Sequence, residues 1–384
     1  MRAGIISLLA AYVLSQFYRA FLAVLSPSLT ADLAATPQDL AAASGLWFLA
    51  FAVMQLPIGT ALDTIGPRRT TASLLAVGAA GAALFASATT IFTIKFAMLL
   101  IGVGCAPVLM SSYYIFARIY SPAAFATLAG ATIGIGSLGN IASSLPLTAA
   151  IGAFGWRETV WALAAITLIV AAATALLIRD PERLPPGPNG SLRDLLRMRS
   201  LWPILAMMTV CYAPAAGLRG LWIGPYFTDT FAAPAATIGR ISLFMGLAMV
   251  AGNFAYGPLD RLFGTRKWVI VFGNLLTLLS LFALTAFPGD KATAIACLIA
   301  IGFFGASFGL VIAHGRAFFP PHLMGRGVTL LNLFGIAPIG IFQVATGQIH
   351  ASVPTAPYQA IFIFFALTTT IGLGLYLFAR DRTD

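Results

Sequence analysis

Apolar runs of about twenty residues or more recur from one end of the chain to the other, and that recurrence limits the fold more than any other feature. They occupy roughly 5–31, 41–62, 70–90, 93–117, 123–150, 158–178, 202–228, 237–259, 268–287, 293–318, 326–349 and 358–379. At about 1.5 Å per residue, each is long enough as a helix to cross the roughly 30 Å hydrocarbon core of a bilayer. Of 384 residues, 59% are hydrophobic and 9% charged, more apolar side chain than a soluble core of this length could cover. Backbone polar groups in hydrocarbon need internal partners, so helices are the expected element. The first run is too long for a cleaved leader and reads as the first membrane helix.

A net charge of +10 would point to nucleic acid in a soluble protein, but here the basic residues lie mainly in short connections, where they set topology. With the amino terminus inside, fifteen Arg and Lys fall on the cytoplasmic side, and Lys95, Arg157, Arg240 and Lys291 fall on the other. That asymmetry places both termini in the cytoplasm of a multi-pass inner-membrane protein, with no nucleic-acid partner. The longest connection, 179–201, opens with Pro185, Pro186, Gly187, Pro188 and Gly190 and ends in a basic stretch able to form a short surface helix. It reads as a cytoplasmic linker between 1–178 and 202–384. Cys105, Cys211 and Cys297 are isolated within apolar runs, so neither a disulfide framework nor a metal or other cofactor is expected.

The connection after the second run reads GTALDTIGPRR, with Gly59, Asp63, Gly66, Arg68 and Arg69. After the eighth run comes GPLDRLFGTRK, with Gly257, Asp260, Gly264, Arg266 and Lys267. An acid at a helix end followed by glycine and a basic pair, repeated in each half, is an internal repeat of the kind secondary transporters carry. The first copy resembles the signature G-x-x-x-D-x-x-G-R/K-R/K of the major facilitator superfamily. The second is looser, with Gly257 displaced and one extra residue before Gly264. GWRETV at 155–160 is similar to a sequence common between the fifth and sixth spans of that family.

The resemblance covers the whole chain and implies an all-α membrane protein of twelve transmembrane helices in two pseudo-symmetric six-helix halves. It further implies that Asp63, Arg68 and Arg69, with Asp260, Arg266 and Lys267, belong to a gating network that closes the halves alternately; Arg118, at the end of the fourth span, is a candidate partner for these acids. One departure weakens a drug-exporting reading. The fifth run, with Gly130, Gly134, Gly136 and Gly139, lacks the Gly-Pro element usual in proton-driven exporters of the family.

Two arginines, Arg19 and Arg219, lie near the middle of the first and seventh runs, at nearly equal distances before the repeated acids. The resemblance places both spans on a central cavity. Every Asp and Glu maps to a connection or a run end, so no carboxylate stands at mid-depth to neutralise either arginine. A guanidinium offers a planar fork suited to carboxylate or phosphate, so both are expected to contact an anionic substrate, although satisfying carbonyls or waters as structural pins is the competing role. Tyr113, Trp222, Tyr226 and Asn332 are candidate substrate contacts, since polar groups in a span tend to face the interior. Arg316 and His314 could serve substrate or gate, against interface anchoring and core packing respectively. Asp32, Asp229 and His314 are candidates for proton coupling.

The expected activity is secondary transport of a small or medium organic anion by alternating access, with import by proton symport or anion exchange favoured. The protein is read as a monomer in the lipid bilayer. The alternatives are a proton-coupled exporter of drugs or metabolites, which would need a mid-depth acid, and a non-transporting receptor of the same fold. The chain has no G-x-x-x-x-G-K-S/T loop and no H-E-x-x-H, C-x-x-C or serine-elbow motif, which argues against an ATP-driven pump and against an enzyme.

Overall fold

The computed structural model describes residues 2–120, 122–181, 192–320 and 323–382. The Pro- and Gly-rich part of the expected linker lies outside the described residues, as do the side chains of Arg2, Arg183, Arg193 and Arg261. The chain is helical and divides into two compact units, Met1–Leu184 with Ala233–Leu243, and Pro185–Ala232 with Phe244–Asp384.

The first unit contains α1 (Arg2–Tyr18), α2 (Phe21–Leu33), α3 (Pro37–Thr64), α4 (Pro67–Ala86), α5 (Ile91–Cys105), α6 (Val108–Ile119), α7 (Pro122–Ala142), α8 (Leu145–Phe154) and α9 (Trp156–Leu177). Its helices approach closely where glycine removes the side chain. A Cβ on Gly104 would lie 2.4 Å from the Cα of Gly78, and one on Gly102 would lie 2.4 Å from the carbonyl oxygen of Trp47. Such contacts bring α5 against α4 and α3, the small-residue packing on which membrane helices rely where burial from water gives no drive. Starts of helices are fixed locally: Thr36 and Asp39 form a reciprocal capping box at α3, and Pro37 occupies its first turn.

The second unit contains α10 (Leu192–Leu196), α11 (Trp202–Cys211), α12 (Ala213–Gly217), α13 (Ile223–Phe231), the part of α14 (Ala235–Phe263) from Phe244 onward, α15 (Lys267–Ala286), α16 (Lys291–Phe304), α17 (Phe308–Arg316), α18 (Met324–Ser352) and α19 (Pro357–Tyr376). A π-helical turn, Leu218–Trp222, joins α12 to α13. The core of this unit packs Ile204, Met208, Val311, Leu331 and Tyr376. In both units large apolar side chains face outward, Leu176 and Phe272 among them. Apolar surface of this extent belongs against lipid, and the protein is a multi-pass membrane protein.

The expectation of twelve spanning helices in two six-helix halves is corrected. Among the described residues ten helices are long and apolar enough to cross a membrane, or eleven if the bent pair α1 and α2 counts as one. That pair turns by 49° at residues 19–20. The run read as a single span over 123–150 is divided at Ser143 and Ser144 into α7 and a short α8. Pro146 supplies the reason: it has no N–H for the carbonyl four residues back, at Ala142, and its ring crowds that carbonyl, so one helix ends there and the next starts with Pro146 in its first turn.

Candidate functional site

Arg19 stands where the first helix breaks. The N–H of Ala20 turns back to the carbonyl of Phe17 at 3.1 Å, and α2 begins at Phe21. The turn is held by aromatic packing from Tyr18 to Phe21 and Phe85, and by a 2.9 Å hydrogen bond between the hydroxyls of Tyr18 and Thr167. Across from it, Trp47 and Phe51 on α3 stack at 5.3 Å with an interplanar angle of 18°. The Arg19 guanidinium carbon lies 4.9 Å from the Phe51 ring centre and 5.6 Å from that of Trp47. Such cation–π contacts contribute about 0.5–2 kcal/mol, which offsets part of the cost of leaving water. Among the described residues no carboxylate pairs with Arg19. Its Nε is buried without a hydrogen-bond partner among the described residues, and so are Trp47 Nε1 and Gln16 Oε1.

Arg219 in the second unit is 3% exposed and lies within the π-helical turn. Gly246 makes room for it, since a Cβ there would sit 3.1 Å from Nη2. Gln343 donates from Nε2 to the carbonyl of Gly217 at 3.0 Å, satisfying backbone at the irregular turn. π-Turns within α-helices are frequent at functional sites, and discontinuous helices recur at transporter binding sites. Both mid-run arginines thus occupy an irregular turn of a helix, a property no motif in the sequence announces.

The other expected contacts are placed less uniformly. Trp222 is buried, donates to Thr346 Oγ1 at 3.0 Å and stacks on His350. Tyr226 is buried among Tyr358 and Phe362, with its hydroxyl on the Pro288 carbonyl at 2.8 Å. Tyr113 and Asn332 are half-buried on α6 and α18. Arg316 is exposed at the end of α17. His314 is buried, with Nδ1 2.7 Å from the Tyr376 hydroxyl and Nε2 2.9 Å from the Arg380 carbonyl. A carbonyl only accepts, so Nε2 carries the proton and Nδ1 accepts from Tyr376. Asp32 accepts from Trp156 Nε1 at 2.7 Å, and Asp229 accepts from the Tyr358 hydroxyl. The eleventh apolar run, read as ending at 349, continues as α18 to Ser352 and so takes in a second histidine, His350.

The repeated motif forms two related constellations, one per unit. In the first, Asp63 lies 3.4 Å from Arg118, whose guanidinium covers the Tyr114 ring at 4.1 Å; Arg69 is exposed. In the second, Asp260 lies 3.1 Å from Nε of Arg266, and Lys267 Nζ donates to the Leu377 carbonyl at 2.7 Å. Each loop is also closed by an acid that sequence reading passed over. Asp180 accepts from the N–H of Arg68 at 2.7 Å and rests against Gly66, whose φ of +100° suits glycine. Asp381 accepts from the N–H groups of Lys267 and Arg266 at 3.0 and 3.2 Å, and from the Thr265 hydroxyl. The signal was present as Arg-Asp at 179–180 and again at 380–381, each just after the last long helix of its unit. Carboxylates here meet free N–H groups at helix starts, the favourable end of the helix dipole.

Partial burial pushes the Asp381 carboxyl up, but the Thr265 hydroxyl and the two backbone N–H groups outweigh it and hold the group below the usual carboxylate range. A depressed folded value means stability that is present above the unfolded pKa, near 3.9, and lost as pH falls through the folded one. Thermal unfolding of the detergent-purified protein between pH 5 and pH 3 should therefore show a smaller acid loss in Asp381→Asn than in the unaltered chain. Parallel curves would remove Asp381 from that loss.

A family model described as Major Facilitator Superfamily matches residues 8–222. No curated protein matches the sequence. Among solved structures, a bacterial homolog of the human lysosomal transporter Spinster, inward-facing and occupied, superposes with a TM-score of 0.79 at 15% identity, covering 98% of this chain and 96% of that one. The nucleoside transporter NupG gives 0.78 at 12% identity, covering 97% and 99%. A D-xylose-proton symporter gives 0.72 at 13% identity, covering 98% and 96%. At these identities the likeness is one of fold.

Proposed function

The chain belongs to the Major Facilitator Superfamily of secondary transporters, which work by alternating access, and we propose that the solute it carries is a small or medium organic anion. The observation that carries this reading is Arg19: a guanidinium at a helix break, faced by two aromatic rings, with a buried unpartnered Nε and no carboxylate paired to it among the described residues. A charge in a membrane interior is costly, by about 2.5–3.5 kcal/mol even on the lenient scale, and such residues mark substrate paths. An anionic ligand would recover that cost through charge-assisted hydrogen bonds. Arg219, on its own irregular turn, is the corresponding residue of the second unit.

In this reading both termini face the cytoplasm of an inner membrane, as the fifteen-to-four distribution of basic residues favours. Import of an anion against an inside-negative potential costs about 2.3 kcal/mol per charge per 100 mV, so a proton or a counter-anion must drive it. Asp63 with Arg118, and Asp260 with Arg266, are the pairs that would break and reform as each unit changes partners.

The test is thermal stabilisation of the purified protein by carboxylates, phosphates, amino acids and lipophilic cations. One anion class should raise the unfolding temperature, and Arg19→Ala and Arg219→Ala should each weaken that response by at least about tenfold in ligand concentration, or about 1.4 kcal/mol. Stabilisation by cations or neutral compounds alone, surviving both substitutions, would overturn the anion reading.

A further inference from the structure

The ring of His350 lies against Trp222 with centroids 5.3 Å apart and an interplanar angle of 23°. One turn earlier on α18, Thr346 accepts the Trp222 indole N–H, so two residues four apart on one helix face clasp the same side chain. Tyr358 of α19 meets the imidazole edge-on at 5.2 Å and donates a hydrogen bond from its hydroxyl to the Asp229 carboxylate of α13. His350 Nε2 is buried and has no hydrogen-bond partner among the described residues. Buried polar atoms are nearly always satisfied, so an unsatisfied imidazole nitrogen near a carboxylate calls for a role.

We propose that His350 takes up the co-transported proton, with Tyr358 and Asp229 as the polar relay beside it. The proposal rests on the reading of a driven anion importer, and it names the coupling ion and the residue that binds it. The uptake adds one proton to the neutral ring and yields an imidazolium; no covalent bond to carbon breaks and no other reactant is needed. Two features stabilise the cation. The indole face of Trp222 presents the negative side of its quadrupole to the stacked ring. The Asp229 carboxylate is held beside it through Tyr358, whose hydroxyl donates to Asp229 and whose ring meets the imidazole. The other titratable groups of the packed elements stand further round: Tyr226 on α13 against Tyr358, and beyond it Asp290 at the cap of α16 with Cys297 on that helix.

The link to substrate is Trp222 itself. It closes the five-residue π-turn that also holds Arg219, so a proton that tightens the clasp on Trp222 acts on the turn that carries the anion-binding arginine. Proton and anion would then bind at two points of one irregular segment, and occupation of one alters the geometry offered to the other.

The experiment uses the full chain in lipid nanodiscs with no anionic substrate, so it can fail while the anion reading stands, and the ligand panel can fail while this one stands. A protonated imidazole in contact with an indole quenches its emission. Tryptophan fluorescence between pH 8 and pH 5 should show one titrating component, absent in both His350→Gln and Trp222→Phe. Asp229→Asn should move its midpoint to lower pH by about one unit, a tenfold loss of proton affinity. Hydrogen exchange of residues 218–231, corrected for intrinsic pH dependence, should slow on protonation in the unaltered chain and show no pH response in His350→Gln. A component that survives His350→Gln overturns the assignment. A titration that leaves exchange in 218–231 unchanged overturns the coupling and reduces His350 to a packing residue.

Discussion

Asp260→Asn lowers the unfolding temperature of the purified protein by about 2–4 °C, whereas Asp63→Asn lowers it by about 1 °C or less. The two acids hold the same place in the repeat, so sequence alone would rank them together or favour Asp63, whose copy of the motif is the closer match. Burial separates them. The side chains of Asp260 and Arg266 are 14% and 18% exposed and meet at 3.1 Å, while Asp63 is 65% exposed and meets Arg118 at 3.4 Å. Removing one partner of a covered pair strands the other charge, at about 3–5 kcal/mol when burial is complete and about 2–3 kcal/mol for a pair with this residual exposure. Among the described residues the Arg266 guanidinium then keeps longer contacts to the Ala313 and Arg382 carbonyls, at 3.4 and 3.5 Å. An exposed pair contributes at most about 1 kcal/mol, and salt screens it. Unfolding followed by intrinsic fluorescence at low and high ionic strength checks both parts: the Asp63→Asn effect should fade in salt and the Asp260→Asn effect should persist. Equal shifts at both salt levels would show that coverage does not decide the strength of these pairs.

What the sequence made legible was governed by composition and by local chemistry. Long apolar runs identify most of the spanning helices, because hydrocarbon selects for length and apolarity alone. The glycine–basic loops identify themselves because an acid, a glycine and a basic pair recur at fixed spacing. The break at Arg19 left no such mark: Tyr-Arg-Ala contains neither proline nor glycine, and the turn is held by Thr167 and Phe85, which are far away in sequence. Ser143 and Ser144 before Pro146 did carry a local signal, but the apolar residues on both sides masked it. His350 fell one residue beyond the expected end of its span, within the ordinary uncertainty of helix ends. The surroundings of Arg19 were also out of reach, since Trp47 and Phe51 stand on another helix about thirty residues further on and no periodicity pairs them with it.

Close backbone approach sets the other large effect, at Gly139. A Cβ on Gly139 of α7 would lie 2.0 Å from the carbonyl oxygen of Val13 and 2.9 Å from the backbone nitrogen of Phe17, both on α1. These are backbone atoms, so no rotamer change relieves the clash and α1 itself must move. Gly139→Ala should cost about 3 kcal/mol, the upper end of ordinary overpacking, and Gly139→Val should abolish the monodisperse folded protein. Gly130, on the same helix, has nothing within 4 Å of its Cβ position. Gly130→Ala should therefore be neutral or stabilising by about 0.5–1 kcal/mol, through helix propensity alone. The comparison isolates packing from propensity, because the substitution is the same and the helix is the same. Phe17 stands two residues before Arg19, so the displacement reaches the candidate site: the Gly139→Ala protein that still folds should bind the stabilising anion less well, while Gly130→Ala binds it as the unaltered chain does. Size-exclusion profiles, unfolding temperatures and the ligand-induced shift are the three readouts. If Gly139→Ala matches Gly130→Ala in all of them, α1 and α7 are not held at the separation described, and the position of Arg19 does not depend on their contact.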